Sequence, residues 1–463
     1  MEHARIVVTG MDVYTPLATN KETYFQRSCN GDSEIRDVRD LIPIKYETEP
    51  GKFIPMLETC GVQRGSLFYP PQLVDENFGR DARKKMSHDT KIAFAAAKGA
   101  VEDSGIFYND STAEQVRMRT GVSIGSGFGG LSDIEKDIVN STKYNDSQWR
   151  EECVRRGRKR DSEKRGLQRV DEFTALKTLP GAPSAYVSGY YQLHCGGGVS
   201  GSAECGTGLA NIIMGCKDIQ LGNADVYICG GTGDALSFLT FAGFDILSAL
   251  SPTGVSRPFD RDRNGFIIGD GAGVVVIERL EHAVARGAKI YGEILGYGER
   301  LDGVYSTGTR EDGKFATLAI QEAIQMAGLN PCDIDHVNAH GTSTLLNDWQ
   351  ETLAIKQALG EHAKEISITA GKSKTGHMLN ATAAIEFIEA LQTINAGVIP
   401  PTINYDPLNR DTDVNYHKES LRKYFVPCDL DYVPNQAREA KVKTVLKTSF
   451  AFGGRSFAIV VRK

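Results

Sequence analysis

The stretches AFAAAKGAVEDSGI, Ala93 to Ile106, and ATLAIQEAIQMAGL, Ala316 to Leu329, echo one another. Each is rich in alanine with apolar residues at helical spacing, and each closes on a glycine followed by an apolar residue, a helix stop. Each also leads to a strand that runs into a glycine loop: Arg119-Thr120-Gly121-Val122-Ser123-Ile124-Gly125-Ser126-Gly127 after the first, His336-Val337-Asn338-Ala339-His340-Gly341 after the second. A repeated unit of this size predicts a duplicated chain, with one half over residues 1–260 and the other over 261–463. Strand, helix and strand in alternation predict an α/β class with a parallel sheet. Such a fold places its chemistry at the carboxyl ends of parallel strands, here where the two halves meet.

The first half fills in around this echo. Arg5 to Thr9 predicts a strand that ends at Gly10, Asn20 to Asn30 a polar helix, and Ser87 to Ser104 a strong helix with Gly105 as its stop. A further helix is expected near Leu131. From about Glu34 to Lys85 the chain has scattered prolines and no sustained period, and reads as surface layer and lid. Between about Asn140 and Asp171, Arg155, Arg156, Arg158, Lys159, Arg160, Lys164 and Arg165 crowd together among acids. A solvated helix or insertion is the favoured reading; a docking surface for an acidic partner is the alternative.

Ser202-Ala203-Glu204-Cys205-Gly206-Thr207-Gly208 sets one cysteine on a turn of small residues. Leu209, Ile212, Ile213, Cys216 and Ile219 then recur at helical spacing as far as Gly222. Cys205 is therefore expected at a helix N-terminus, where unpaired N–H groups favour a thiolate and lower its pKa toward neutrality. The alternative is one more buried small hydrophobe. Beyond it, Ala224 to Cys229 reads as a buried strand ending at Gly230-Gly231, and Phe238 to Phe244 as a cavity lining or core.

The remaining composition narrows the classes. Among 463 residues, 41% hydrophobic and 24% charged with a net charge of −6, the profile is that of a globular protein and not of a general nucleic-acid binder. Nine scattered cysteines show neither a disulfide framework nor paired metal ligands. No run of about 18 apolar residues occurs. The opening Met1 to Arg5 leads directly into Ile6-Val7-Val8 without a signal-peptide pattern. The expectation is a cytoplasmic chain with no membrane partner, no metal and no nucleic acid.

Three stretches of the second half carry polar chemistry on glycine-rich loops: His340-Gly341-Thr342-Ser343-Thr344, Lys372-Ser373-Lys374-Thr375-Gly376-His377, and Phe450-Ala451-Phe452-Gly453-Gly454. A cysteine with spatially adjacent histidines is a candidate for covalent acyl transfer, and glycine loops supply the N–H groups that an oxyanion needs.

Taken together with Ser256-Arg257-Pro258-Phe259-Asp260 and Gly269-Asp270-Gly271-Ala272-Gly273, these motifs resemble, over nearly the whole chain, the β-ketoacyl synthases that condense acyl chains in fatty-acid and polyketide assembly. The resemblance implies a thiolase-like fold, two similar α/β halves in a five-layered αβαβα sandwich, usually a homodimer, with a heterodimer with a related chain as the variant. It implies that Cys205 takes an acyl group from an acyl carrier protein, and that His340 and His377 bind the malonyl thioester carbonyl during decarboxylation. Backbone N–H groups of Cys205 and Phe452 would form the oxyanion hole. Lys372, Asp348, Glu351 and Glu386 match supporting positions, Thr342 and Thr344 match positions that contact the pantetheine arm, and Phe244 and Phe452 resemble pocket and gate aromatics. No resident cofactor is implied, since the phosphopantetheine arm arrives on the carrier. The rival readings are a noncatalytic, chain-length-setting partner subunit and an acyltransferase that does not decarboxylate.

Some positions depart from the commonest pattern of this family. Glu204 precedes the nucleophile where a small residue is usual, Leu345 and Leu346 replace a turn containing proline, Lys374 stands where an apolar residue is common, and Arg455-Ser456 follows Gly454 where Thr-Asn is frequent. These departures point toward a specialised polyketide or polyene pathway rather than housekeeping fatty-acid synthesis.

Overall fold

Nine strands pair edge to edge: β1 (Ile6–Tyr14), β2 (Thr120–Ser126), β3 (Val226–Gly233), β4 (Gly271–Arg279), β5 (Gly292–Leu301), β6 (His336–Asn338), β7 (Ser367–Thr369), β8 (Thr444–Ala451) and β9 (Arg455–Arg462). The computed structural model describes residues 4–37, 45–49, 52–55, 64–66, 84–107, 113–142, 145–195, 200–235, 237–304 and 310–463. The spatial order is β7-β6-β8-β9-β5-β1-β4-β3-β2. Read outward from the middle, β1-β4-β3-β2 on one side matches β5-β9-β8-β6 on the other, with β7 added. Within the sheet, among the described residues, the two sides join through the short β1–β5 pairing of Ile6, Val7 and Val8 with Ile294, Glu293 and Gly292.

Alternation along the strands decides the layers. Val275 and Ile277 of β4, Val445 of β8 and Ile459 and Val461 of β9 face a central cluster. That cluster is filled by Leu209, Ile212 and Cys216 of the Thr207–Gln220 helix and Ile385, Ile388 and Leu391 of the Thr382–Ala396 helix. The intervening Val274 and Val276 turn outward to Ile92, Ala96 and Ala100 of the His88–Ser104 helix. On the other side Leu446 and Val460 turn outward to Ile320 and Ile324 of the Lys314–Met326 helix and Trp349 and Ile355 of the Leu345–Leu359 helix. Because side chains alternate with period two, each sheet half is apolar on both faces, which explains strands such as Gly271–Arg279 that read as continuous apolar runs. The result is helix, sheet, helix, sheet, helix: the five-layered thiolase-like fold that the sequence implied.

Three expectations change. β1 does not end at Gly10 but runs on to Tyr14 through a register shift between Val8 and Gly10, where a Cβ would strike the Ala100 carbonyl of the packed helix. The sheet is mixed: β2–β3, β6–β7 and β6–β8 are parallel, and the five pairings between β3 and β8 through the middle are antiparallel. The seam between the halves is not at residue 260, because β4 hydrogen-bonds to β1 and β3; by strand pairing it lies between β4 and β5.

Most of the stretch read as surface layer and lid, and the glycines at 196–198, lie outside the described residues. The basic segment begins with a largely solvent-exposed helix. Its Asp146–Arg155 helix carries a capping box between Asn145 and Gln148. Arg155 and Arg156 pair with Glu152, Arg158 and Lys164 with Asp161, and Arg165 and Arg169 with Asp146. No helix among the described residues is long and apolar enough to cross a membrane.

The two central helices touch at Gly208, where a Cβ would come 2.5 Å from the Ala384 backbone nitrogen and 2.8 Å from its Cβ. Gly208→Ala should therefore lower the free energy of unfolding by about 1–3 kcal/mol through overpacking, read as a lower urea midpoint at unchanged m-value. An unchanged midpoint would show that the central layer is not tightly packed there.

Candidate active site

Cys205 lies in a short 3-10 turn, Glu204–Gly206, directly ahead of the Thr207–Gln220 helix. Glu204 holds a left-handed φ of 48°, a conformation that needs outside support in a residue with a side chain. Thr207 and Asn380 supply that support. The Thr207 hydroxyl accepts from the Ala203 N–H at 2.9 Å and donates to the Glu204 carbonyl at 2.7 Å. The Asn380 amide donates to the Glu204 carbonyl at 2.9 Å and to Thr207 Oγ1 at 2.7 Å. A residue of the second half thus clamps the turn of the first.

The thiol departs from expectation. Burial pushes Cys205 up to about 12, against the pull of the Lys372 ammonium and with a smaller upward push from Glu204. A helix terminus supplies about 0.3–1 kcal/mol, less than one pKa unit is worth, so desolvation of the anion decides the sign. Cys205 rests as a thiol.

His340 follows β6 and His377 follows the Lys372–Thr375 helical turn; their rings lie 5.6 Å apart, centroid to centroid, at 86°. Both are buried. Burial, reinforced by the Lys372 and Lys447 ammonium groups, holds both pKa values well below the usual imidazole range, so both rings are neutral at physiological pH. Lys372 Nζ lies 3.3 Å from His340 Nδ1. An ammonium can only donate, so Nδ1 accepts and the ring proton sits on Nε2. His377 Nδ1 is 3.1 Å from Thr382 Oγ1, which leaves Nε2 as the ring nitrogen available to a ligand.

Buried carboxylates hold the loops. Glu351 accepts from the His340 N–H and the Gly341 N–H, each at 2.7 Å, and from Thr448 Oγ1 at 2.8 Å. Glu386 pairs with Lys372 at 2.9 Å. Asp348 ties two elements together: it accepts from the Phe259 N–H at 2.7 Å and lies 3.4 Å from Arg263 of the Ser256–Gly265 run, and it accepts also from the backbone of Ser343 on the His340 loop. Thr342 and Thr344 sit on the His340 loop with their hydroxyls 2.9 Å apart. Phe244 and Phe452 face each other at 6.2 Å, and Phe244 continues through Phe266 at 5.3 Å to His377 at 5.2 Å from Phe266. All the expected residues converge on one region. Among the described residues, no group of three or more His, Cys, Asp or Glu is placed to hold a metal ion.

Two of the unusual positions explain each other. Arg455 Nε lies 3.2 Å from Glu204 Oε2. The pair links the Cys205 turn to the β8–β9 hairpin that carries Phe452, and both of its side chains are solvent-exposed. Lys374 is fully buried, donates to the Pro401 carbonyl at 2.8 Å and lies 3.8 Å from the buried Glu389. Leu345 and Leu346 open the Leu345–Leu359 helix.

Sequence reading missed Thr207, Asn380, Thr382 and Lys447. The first three stand within five residues of Cys205 or His377, and a search for side chains able to bond those loops would have found them. Lys447 had no such signal, since it lies mid-strand in β8, a fully buried strand. Its ammonium donates to Glu386 Oε2 at 2.7 Å.

The neutral rings can be checked by titration. In protein labelled with 15N-histidine and assigned with His340→Gln and His377→Gln, both rings should stay neutral down to pH 5.5, below the ordinary value of about 6.5. Protonation of either ring between pH 6 and 7 would contradict the geometry.

Comparison with known proteins fits this architecture. Residues 3–283 match the family described as "Beta-ketoacyl synthase, N-terminal domain", and residues 291–406 match "Beta-ketoacyl synthase, C-terminal domain". The chain is 33% identical to the 3-oxoacyl-[acyl-carrier-protein] synthase 2 of Synechocystis, covering 100% of this chain and 99% of the relative. Among solved structures it is similar to a type II PKS ketosynthase in complex with its acyl-carrier protein (TM-score 0.79, 26% identity, 100% and 99% covered). It is similar also to the ishigamide ketosynthase/chain length factor (TM-score 0.79, 29% identity, 100% of both covered). With both halves of the family's pattern present and one cysteine and two neutral histidines converging where the halves meet, the chain belongs to the β-ketoacyl synthase family.

Proposed function

We propose that this chain is an elongating ketosynthase, an acyltransferase that joins malonyl units to an acyl group held on Cys205, with both partners delivered on an acyl carrier protein. The observation that carries the reading is the pair of neutral, perpendicular imidazoles of His340 and His377 grouped with the partly exposed Cys205 thiol.

The thiol sulfur attacks the carrier thioester carbon; its proton leaves with the departing pantetheine thiolate, and the acyl group remains on Cys205. A protonated resting thiol suits this exchange, because deprotonation accompanies attack. Malonyl carrier protein then enters, with its thioester oxygen toward His340 and His377. As carbon dioxide leaves, the bond electrons form an enolate. Neutral N–H donors in a dry site stabilise that oxygen without first protonating the carboxylate. The enolate carbon attacks the Cys205 thioester, the Cys205 thiolate leaves and takes up a proton, and a β-ketoacyl carrier protein departs. Backbone N–H groups of Cys205 and Phe452 are the proposed donors to the tetrahedral oxygen, Thr342 and Thr344 the proposed contacts to the pantetheine arm, and Phe244 and Phe452 the apolar wall for the chain. No resident cofactor enters this cycle.

The likeness to a type II PKS ketosynthase and to the ishigamide ketosynthase/chain length factor supports a specialised polyketide or polyene substrate, and the 33% identity to a 3-oxoacyl-[acyl-carrier-protein] synthase 2 supports fatty-acid synthesis as the alternative. The proposed assembly is a homodimer, with a related chain as the alternative partner.

Intact-mass spectrometry with a panel of acyl carrier proteins tests the reading. An acyl mass should appear on the native chain and not on Cys205→Ala, then vanish with malonyl carrier protein as carbon dioxide and a β-ketoacyl carrier protein form. Acylation by no donor, or loss of the acyl group without carbon dioxide, would overturn it. His340→Ala and His377→Ala should each slow carbon dioxide release by about 100- to 1,000-fold, the size of a lost oxyanion donor, and leave the first acylation intact.

A further inference from the structure

Lysine is among the residues least often found buried inside a sheet, yet Lys447 is fully buried in the middle of β8. An unpaired charge there would cost several kcal/mol. All three of its protons have acceptors: Glu386 Oε2 at 2.7 Å, the Thr448 carbonyl at 2.7 Å and the Ala339 carbonyl at 3.3 Å. The last binds it to the residue just before His340.

Counting protons on the neighbouring lysine shows what this does. Lys372 Nζ has four acceptors in reach: Glu386 Oε1 at 2.9 Å, Glu386 Oε2 at 3.1 Å, His340 Nδ1 at 3.3 Å and the His340 carbonyl. It has three protons to give. With Oε2 already satisfied by Lys447, one proton of Lys372 suffices for Glu386 through Oε1. Two remain, one for the His340 carbonyl and one for its ring. Without Lys447, Glu386 would present two hungry oxygens to one ammonium, and the longest contact, the one to Nδ1, is the one that would be lost. The tautomer of His340 then loses its constraint.

We propose that Lys447 is a positioning residue for the condensation step, sharing Glu386 with Lys372 so that Lys372 holds His340 as the Nε2–H tautomer. The assignment rests on the condensing reading above. It predicts a split between half-reactions, because acyl transfer to Cys205 does not need the His340 donor and enolate formation does. The charged and titratable groups around His340 are Lys372 and His377 from one loop, Lys447 from β8, Glu386 from the Thr382–Ala396 helix and Glu351 from the Leu345–Leu359 helix. Removing the Lys447 charge leaves that set less positive, so the His340 ring should titrate at higher pH.

The test is Lys447→Met, with native chain alongside. Condensation should slow by about 10- to 100-fold, the scale of a lost orienting partner, with KM for malonyl carrier protein unchanged and acylation of Cys205 within twofold of native. The 15N signals of His340 should change from Nε2–H to a mixture of tautomers, and its titration should move upward. Lys447→Gln, which keeps one donor for Glu386 Oε2, should retain the native tautomer; it also serves as the readout if Lys447→Met does not fold. Unchanged condensation with an unchanged His340 signal overturns the proposal, and so does an equal loss of acylation and condensation, which marks a merely structural lysine. If the native chain itself forms no β-ketoacyl product, it is the condensing reading that fails, while the tautomer measurement still decides what Lys447 does to His340.

Discussion

The close approach of the two central helices is the constraint on which the rest depends. Gly208 of one rests against Ala384 of the other with no room for a side-chain carbon, and both helices begin at the same end of the molecule. Cys205 lies just before the first, and His377, Asn380 and Thr382 lead into the second. Two chain segments far apart in sequence therefore arrive together with no flexible loop between scaffold and site. The Asn380 bonds to Glu204 and Thr207 show the consequence: the second half completes the turn of the first.

Electrostatics then acts on two buried imidazoles and the thiol beside them. Burial alone would push the thiol up and the imidazoles down, and it does both. The balance of buried charge around them is kept by pairing: Lys372 and Lys447 share Glu386, while Glu351 takes two backbone N–H groups and a hydroxyl. A buried ion cluster contributes little to stability as such, because desolvation offsets the attraction. Its value here is directional, since each member has a fixed partner and the histidines inherit that order.

Much of this was legible beforehand. The echo between Ala93–Ile106 and Ala316–Leu329 revealed the duplication, because a packed helix repeats its apolar spacing wherever the fold repeats. The Cys205, His340 and His377 loops stood out because glycine is concentrated where backbone must turn sharply beside a reactive side chain. The strand through Gly10 was misread because a glycine is a stop signal in isolation, whereas here it makes room for a helix. The seam was misplaced because pairing partners of β4 are not encoded in its own apolar run.

Residue type and local spacing were enough to reveal the duplicated α/β architecture, the family, and which side chains could carry chemistry. Only the tertiary structure decided their protonation, their tautomers and their partners. Thiol or thiolate at Cys205, a neutral or charged His340, and a mid-strand lysine that proves to share Glu386 with Lys372 all depend on what approaches from other parts of the chain. Desolvation and Coulomb forces act across space, and spacing along the chain does not record them.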